Sequence, residues 1–312
     1  MTSKRVLLIL VMTLLAVIAG CSGENLYDLL TNFSRQQSRL IQKNQPIGGH
    51  LHMAYFDNNL PDKPTMVLLH GFGAQKEVWL PLAKRLHADY RLIIPDLVGD
   101  GESSRPMELD YTIGAQARRL HRFLTRLHIR RPIVVGNSMG GAIALMYASR
   151  YPTEKLVLID PLGFESRKSY LQKQGIAEAE KVFLGICSRK DMEHFLGMVY
   201  DHPPYIPGIL LDYMARRKCA VSRLDTRKAR SLYRTDGGWV FARMLPKAAR
   251  RVHTPVLILW GTEDKILNPA NTTAFRRHLP GAQVVYIPHA GHVPMMEKPD
   301  QTAAEMRKFL HP

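Results

Sequence analysis

The chain has 312 residues, of which 46% are apolar and 22% charged. That composition excludes a disordered polar chain and fits one large globular domain or two modest ones. Its 43 lysines and arginines outnumber 27 aspartates and glutamates, giving +16 at neutral pH. Such an excess does not bear on the fold, but it points to an anionic partner: nucleic acid, a membrane surface or an acidic substrate.

Lys4-Arg5 precede an apolar run from Val6 to Gly20, 15 residues that stop at Cys21. About 20 apolar residues are needed to cross roughly 30 Å of hydrocarbon, so residues 1–20 read as a secretory signal rather than a spanning helix. The ending Ile18-Ala19-Gly20-Cys21 resembles the bacterial lipobox, which makes Cys21 the lipidation site after cleavage ahead of it. The alternative is a retained membrane anchor with a chance cysteine. Either reading places the body outside the cytoplasm, anchored in a bacterial envelope and facing the periplasm. Ser22 in place of an aspartate favours the outer membrane, by resemblance to the enteric sorting rule, with the inner membrane as the alternative. Residues 21–46 then form an anchor and polar connector in which Leu26, Leu29, Leu30, Phe33 and Leu40 have helical spacing, as expected of a short amphipathic helix near the bilayer.

From Ile47 onward, strand-length apolar runs alternate with helical patterns. The runs 65–69, 91–94, 133–135, 156–159, 256–260 and 284–287 are continuous rather than alternating, as in strands buried on both faces. The expectation is an α/β fold with a mostly parallel central sheet flanked by helices. Residues 165–251 break the alternation with helical patterns (177–186, 191–200, 208–217) and read as a helical cap inserted into a core of 47–164 plus 252–312. Cys187 and Cys219 both lie in this insertion. In an oxidising compartment they can pair, or they can remain two buried thiols; sequence does not choose.

After the strand 133–135 comes Gly136-Asn137-Ser138-Met139-Gly140-Gly141, then a helical run: G-x-S-x-G in the strand, sharp turn, helix setting that makes Ser138 a nucleophile at a helix N-terminus. A serine hydroxyl needs a histidine to take its proton and a carboxylate to orient that histidine, in the chain order Ser, acid, His. His292 in the loop after the last strand is favoured over His289, and Asp264 after the strand 256–260 over Asp160, which runs into Pro161 and the cap. The oxyanion hole needs two backbone N–H donors. Met139 supplies one, and Phe72 in His70-Gly71-Phe72-Gly73 the other, with His70 shaping the loop.

These motifs resemble the α/β-hydrolase superfamily over nearly all of residues 47–312. The segments 93–104, 136–141, Pro203-Pro204-Tyr205-Ile206-Pro207 and 291–297 look like those of bacterial membrane-attached lipases of lipase family V and membrane-anchored phospholipases A. Mapped through those motifs, nucleophile, acid and base again fall on Ser138, Asp264 and His292. Asp100 departs from the pattern, because relatives usually carry an apolar or aromatic residue between Gly99 and Gly101; it leaves the triad untouched and alters the polarity of the site entrance.

The resemblance implies a serine carboxylic-ester hydrolase acting on acyl lipids, a triacylglycerol lipase or esterase or a phospholipase A, through an acyl-enzyme on Ser138. The alternatives are a carbon–carbon bond hydrolase of the aromatic-degradation type, which shares the 136–141 motif, and a non-catalytic envelope lipoprotein. No cofactor or metal is expected, since neither cysteine ligand spacing nor a phosphate-cradling loop is present. In the cap, Phe195, Leu196, Val199 and Ile209, Leu210, Tyr213 can line an acyl channel or simply pack the cap on the core. The cap carries 18 basic against 9 acidic residues, most of the excess charge. Outside the cytoplasm this disfavours nucleic acid and suits an anionic lipid surface facing the cap.

Overall fold

The computed structural model describes residues 22–164, 168, 173, 176–232 and 244–311; the signal-like run and Cys21 lie outside the described residues. Eight strands form one sheet: β1 (Ile41–Gly48), β2 (Leu51–Asp57), β3 (Thr65–Leu69), β4 (Arg91–Pro95), β5 (Ile133–Asn137), β6 (Leu156–Ile159), β7 (Val256–Gly261) and β8 (Gln283–Ile287). Their order is β1-β2-β4-β3-β5-β6-β7-β8, with β2 antiparallel to both neighbours and every other pair from β3 to β8 parallel. All of β5, β6 and β7 is buried, which is why these strands read as unbroken apolar runs.

The sheet begins at Ile41, six residues before the sequence boundary at Ile47. The hairpin β1–β2 escaped detection because β1, Ile41-Gln42-Lys43-Asn44-Gln45-Pro46-Ile47-Gly48, is a mostly exposed edge strand with a single buried residue and no apolar alternation. Its turn is carried by Gly48, Gly49 and His50, all with positive φ.

Helices cover the sheet, with α1 (Gly23–Gln37), α2 (Leu80–Leu86), α3 (Ile113–Arg126) and α4 (Met139–Ala148) preceding the insertion. The helix α3 shows why such segments fold: Thr112 caps it by accepting from the Ala115 N–H, and Ile113, Ala117, Leu120, Phe123 and Leu124 form one buried stripe. Between β6 and β7 lie α5 (Ile176–Phe183), α6 (Arg189–Val199), α7 (Gly208–Ala220), α8 (Ser222–Arg230) and α9 (Met244–Ala249); α10 (Thr272–His278), α11 (Pro294–Glu297) and α12 (Pro299–Leu310) complete the chain. Cys187 and Cys219 form a disulfide, Cα atoms 4.6 Å apart, that joins the entry of α6 to the end of α7. Closing a loop with a sequence separation of 32 stabilises the fold by roughly 3 to 4 kcal/mol on the chain-entropy account.

The connector helix α1 is docked rather than loose. Ser22 caps it, Gly23 sits against the Ile209 backbone, and Tyr27 meets Tyr213 of α7 with ring centroids 5.6 Å apart. Arg217 lies over both rings, 4.7 Å from Tyr27 and 5.7 Å from Tyr213. Leu29, Leu30 and Phe33 on the same helix remain 51%, 48% and 58% exposed. Among the described residues no helix is long and apolar enough to cross a membrane.

Candidate active site

The site is assembled at the C-terminal ends of the parallel strands. Ser138 follows β5 with φ 53° and ψ −119°, a backbone that a non-glycine residue adopts only when its surroundings enforce it. The enforcement is visible: its N–H donates to Ile159 O (3.0 Å), and its carbonyl accepts from Gly141 and Leu162, both at 2.9 Å. Gly136 and Gly140 are required by close approach rather than by dihedral. A Cβ on Gly136 would strike the Gly140 backbone, and one on Gly140 would strike the carbonyls of Leu69 and His70. Met139 opens α4, where the first N–H groups of a helix lack intrahelical acceptors and point toward developing negative charge.

The loop after β3 lies against the serine, since a Cβ on Gly71 would be 3.2 Å from the Ser138 Cβ. This brings Phe72 beside Ser138. His70 is fixed by its own hydrogen bonds: Nε2 accepts from Leu97 N–H (3.0 Å), so Nδ1 carries the proton and donates to Gly71 O (2.8 Å). With both ring nitrogens engaged it shapes the loop and has no lone pair free to act as a base. Asp96 in the next loop accepts from the Lys76 N–H, the Lys76 ammonium and the Glu102 N–H at 2.8 to 2.9 Å, and Gly101 takes φ +52° beneath it.

His292 and Asp264 come together: His292 Nδ1 lies 2.8 Å from Asp264 Oδ2. The other carboxylate oxygen accepts from the N–H groups of Ile266 (2.8 Å) and Leu267 (2.9 Å), so the acid is held at three points. With Nδ1 donating to a carboxylate, Nε2 is left with its lone pair. The His292 backbone is clamped too, its N–H donating to Val199 O (2.7 Å) and its carbonyl accepting from Asn137 Nδ2 (3.1 Å). His289 is exposed and its N–H donates to Thr262 Oγ1, away from the pair.

Asp160 is placed beside this pair rather than in it. It is fully buried, with φ 43°, and its Oδ1 accepts from Gly261 N–H at 2.8 Å. Ligand-type atoms of Asp160, Asp264 and His292 all lie within 4.8 Å of one another. Burial first, and then the charge of Asp264, push the Asp160 carboxyl well above the usual range, so it is held neutral. A side-chain hydrogen bond with Asp264 adds to the upward push.

Sequence reasoning passed over Asn137 and Glu297. Glu297 accepts from Gly291 N–H (2.7 Å) and Asp201 N–H (2.8 Å), tying the histidine loop to the start of the cap's second half. Burial pushes its carboxyl upward despite these donors. Asn137 is a variable position of G-x-S-x-G, and Glu297 closes the 291–297 segment with no spacing that points to the cap.

Residues 66–305 match the model of the alpha/beta hydrolase family. This chain belongs to that family. It is 34% identical over 288 residues to Lipase 3 of Moraxella sp. (strain TA144), covering 91% of this chain and 89% of that one. It is 33% identical over 301 residues to Lipase 1 of Psychrobacter immobilis, covering 94% and 93%. A crystal structure of a membrane phospholipase A, described as a bacterial virulence factor, superposes with a TM-score of 0.84 at 33% identity over 98% of both chains.

The buried neutral acid gives a signed pH dependence. Asp160 keeps in the folded state a proton that the unfolded chain releases above about pH 4. The native state therefore loses stability as pH rises through the ordinary carboxyl range and on toward the raised folded value. Asp160→Asn copies the neutral form, so its Tm should match that of the wild type near pH 4 and exceed it increasingly toward pH 8. A gap that stays constant or narrows over that range contradicts a neutral Asp160.

Proposed function

We propose that this hydrolase is a membrane-attached serine carboxylic-ester hydrolase acting on acyl lipids, of triacylglycerol lipase, esterase or phospholipase A type. The observation that carries the chemistry is the 2.8 Å pairing of His292 Nδ1 with a carboxylate held by two further N–H donors, at the same sheet end as a strained Ser138. In the reading that follows, Ser138 Oγ attacks the ester carbonyl while His292 Nε2 takes its proton. Asp264 stabilises the imidazolium, and the Phe72 and Met139 amides receive the oxyanion. Collapse expels the alcohol, which takes the proton from His292. Water then enters, His292 removes its proton, and the acyl-enzyme is cleaved to fatty acid and free Ser138. The lipid preference is supported by the two lipases and the phospholipase A that the chain resembles.

An acyl group has apolar surface to meet. Phe72 is edge-on to Phe183 at 6.4 Å, and Phe183 to Phe195 at 6.1 Å, an aromatic run from the oxyanion loop into the cap. Leu196 and Val199 pack in the core, Tyr213 meets Tyr27 of α1, and Ile209 is 40% exposed. Removing Ser138 tests the assignment directly. Ser138→Ala should lower kcat on p-nitrophenyl butyrate by at least about 10³-fold with an unchanged fold; equal rates in variant and wild type would sink it.

Membrane attachment is supported by the apolar residues that α1 leaves uncovered next to the end of the apolar run 6–20. Tyr205, 92% exposed, and Ile209, 40% exposed, extend this surface onto the segment entering α7, whose Ile209 backbone abuts Gly23. The basic cap contributes less outward charge than its composition implies. Lys218 and Lys228 are turned inward, Arg189 pairs with Asp212, and Arg227 with Glu108. In the full chain, replacing Leu29, Leu30 and Phe33 by serine should reduce hydrolysis of lipid in vesicles at least several-fold and leave p-nitrophenyl butyrate hydrolysis unchanged. An unaltered ratio of the two activities contradicts a membrane-facing α1.

A further inference from the structure

Between the cap and the loops after β3 and β4, two lysines and two aspartates form one ion-paired cluster, with Arg217 beside it. Lys218 of α7 donates to the Gly73 carbonyl (2.9 Å) and pairs with Asp225 Oδ2 (3.2 Å). Lys228 of α8 pairs with Asp225 Oδ1 (2.7 Å) and Asp100 Oδ1 (2.5 Å), reaches the Gly99 carbonyl (3.3 Å) and lies 5.2 Å from the Phe72 ring centroid. The side chains of Asp225, Lys228 and Asp100 are only 2%, 4% and 5% exposed, and Lys218 is 18% exposed. Arg217, next along α7, donates to Gln75 Oε1 at 3.0 Å. Contacts from two cap helices, Arg217 and Lys218 of α7 and Lys228 of α8, thus reach residues 72–75, the stretch that carries the Phe72 amide.

Two lysines against two aspartates leave no net charge, so the cluster is unsuited to holding an anionic ligand. Nor is stability a sufficient reason for it, because a buried ion pair costs about as much desolvation as it returns and an apolar replacement is often as stable. What such a cluster does provide is one geometry. Gly73 has φ +61°, and a Cβ there would meet the Lys218 ammonium; Gly99 has φ +102°, and a Cβ there would meet the Tyr111 ring and the Lys228 stem. The two loops are shaped around the two lysines. Asp100, the residue that departs from the family pattern, is the partner that the core contributes.

We propose that Lys218 and Lys228 are positioning residues for the oxyanion loop, and that this end of the cap is a fixed wall of the active site rather than a lid that lifts away. Lys218 fixes the carbonyl of Gly73, two peptide units after the Phe72 N–H, and so pins the far end of the short Gly71–Gly73 turn, while Lys228 lies against the Phe72 ring from the cap side. The inference rests on the reading that the Phe72 amide is an oxyanion donor.

The test separates geometry from stability. Lys218→Met/Asp225→Asn removes one charge of each sign and leaves the Lys228–Asp100 pair intact, so it should melt within a few degrees of the wild type. Its kcat on p-nitrophenyl butyrate should nevertheless fall about 10- to 100-fold with KM within about threefold, and its Ki for butylboronic acid, whose tetrahedral serine adduct places an oxygen in the oxyanion hole, should rise by a similar factor. Lys218→Arg keeps the charge and hence the fold but moves the donor off the Gly73 carbonyl, and should lose several-fold in kcat. If kcat and boronate Ki of both variants stay within about twofold of the wild type, the proposal is overturned. If wild type and Ser138→Ala hydrolyse the ester equally, the catalytic reading beneath it fails instead.

Discussion

The constraint on which the rest depends is the close backbone packing around Ser138. A serine at φ 53° is held by close backbone packing: Gly136 and Gly140 let chain segments approach to distances that a Cβ would forbid, and a Cβ on Gly71 would crowd Ser138 at 3.2 Å. That packing places Ser138 at the N-terminus of α4 and brings the loop carrying Phe72 alongside. The same junction reaches the base, because Asn137, one residue earlier, donates to the carbonyls of both Ile159 and His292. Ser138, the loop that carries Phe72 and the loop that carries His292 are therefore set by one knot of backbone contacts, and the cap is added to it through Val199 and Glu297.

Charge in this molecule is sorted by burial. Internal charges are matched one against another, as in Lys76 with Asp96 and Glu102, Lys218 and Lys228 with Asp225 and Asp100, and Asp57 with Lys43 and Arg91. Asp160 pairs with no cation among the described residues, and burial beside Asp264 favours its neutral form. A formal charge of +16 thus overstates what a lipid surface would meet, since several of the cap's cations are turned inward or paired.

Much of the fold was legible because the strands that carry the site are buried on both faces, and their unbroken apolar runs are the plainest signal a sequence holds. Ser138, Asp264 and His292 each lie within a few residues after such a run, which is why the strands drew attention to them. The elements that were missed lack that signal. β1 is polar and mostly exposed, stabilised by register with β2 rather than by its own composition. Asn137, Glu297 and the cap lysines act through partners as far as 155 residues away in the chain, and no local spacing encodes such contacts. The cysteine pairing was likewise a matter of distance alone, decided by the approach of α7 to the start of α6.

The central claim is that hydrolysis proceeds by acyl transfer to one serine oriented by this knot and activated by His292. Its most direct measurement is intact-protein and peptide mass spectrometry after rapid acid quench of the enzyme turning over p-nitrophenyl butyrate. A butyryl group on the peptide containing Ser138, accumulating in the wild type and absent from Ser138→Ala, is the predicted result. Turnover with no adduct on Ser138, or with the acyl group on another side chain, would contradict it.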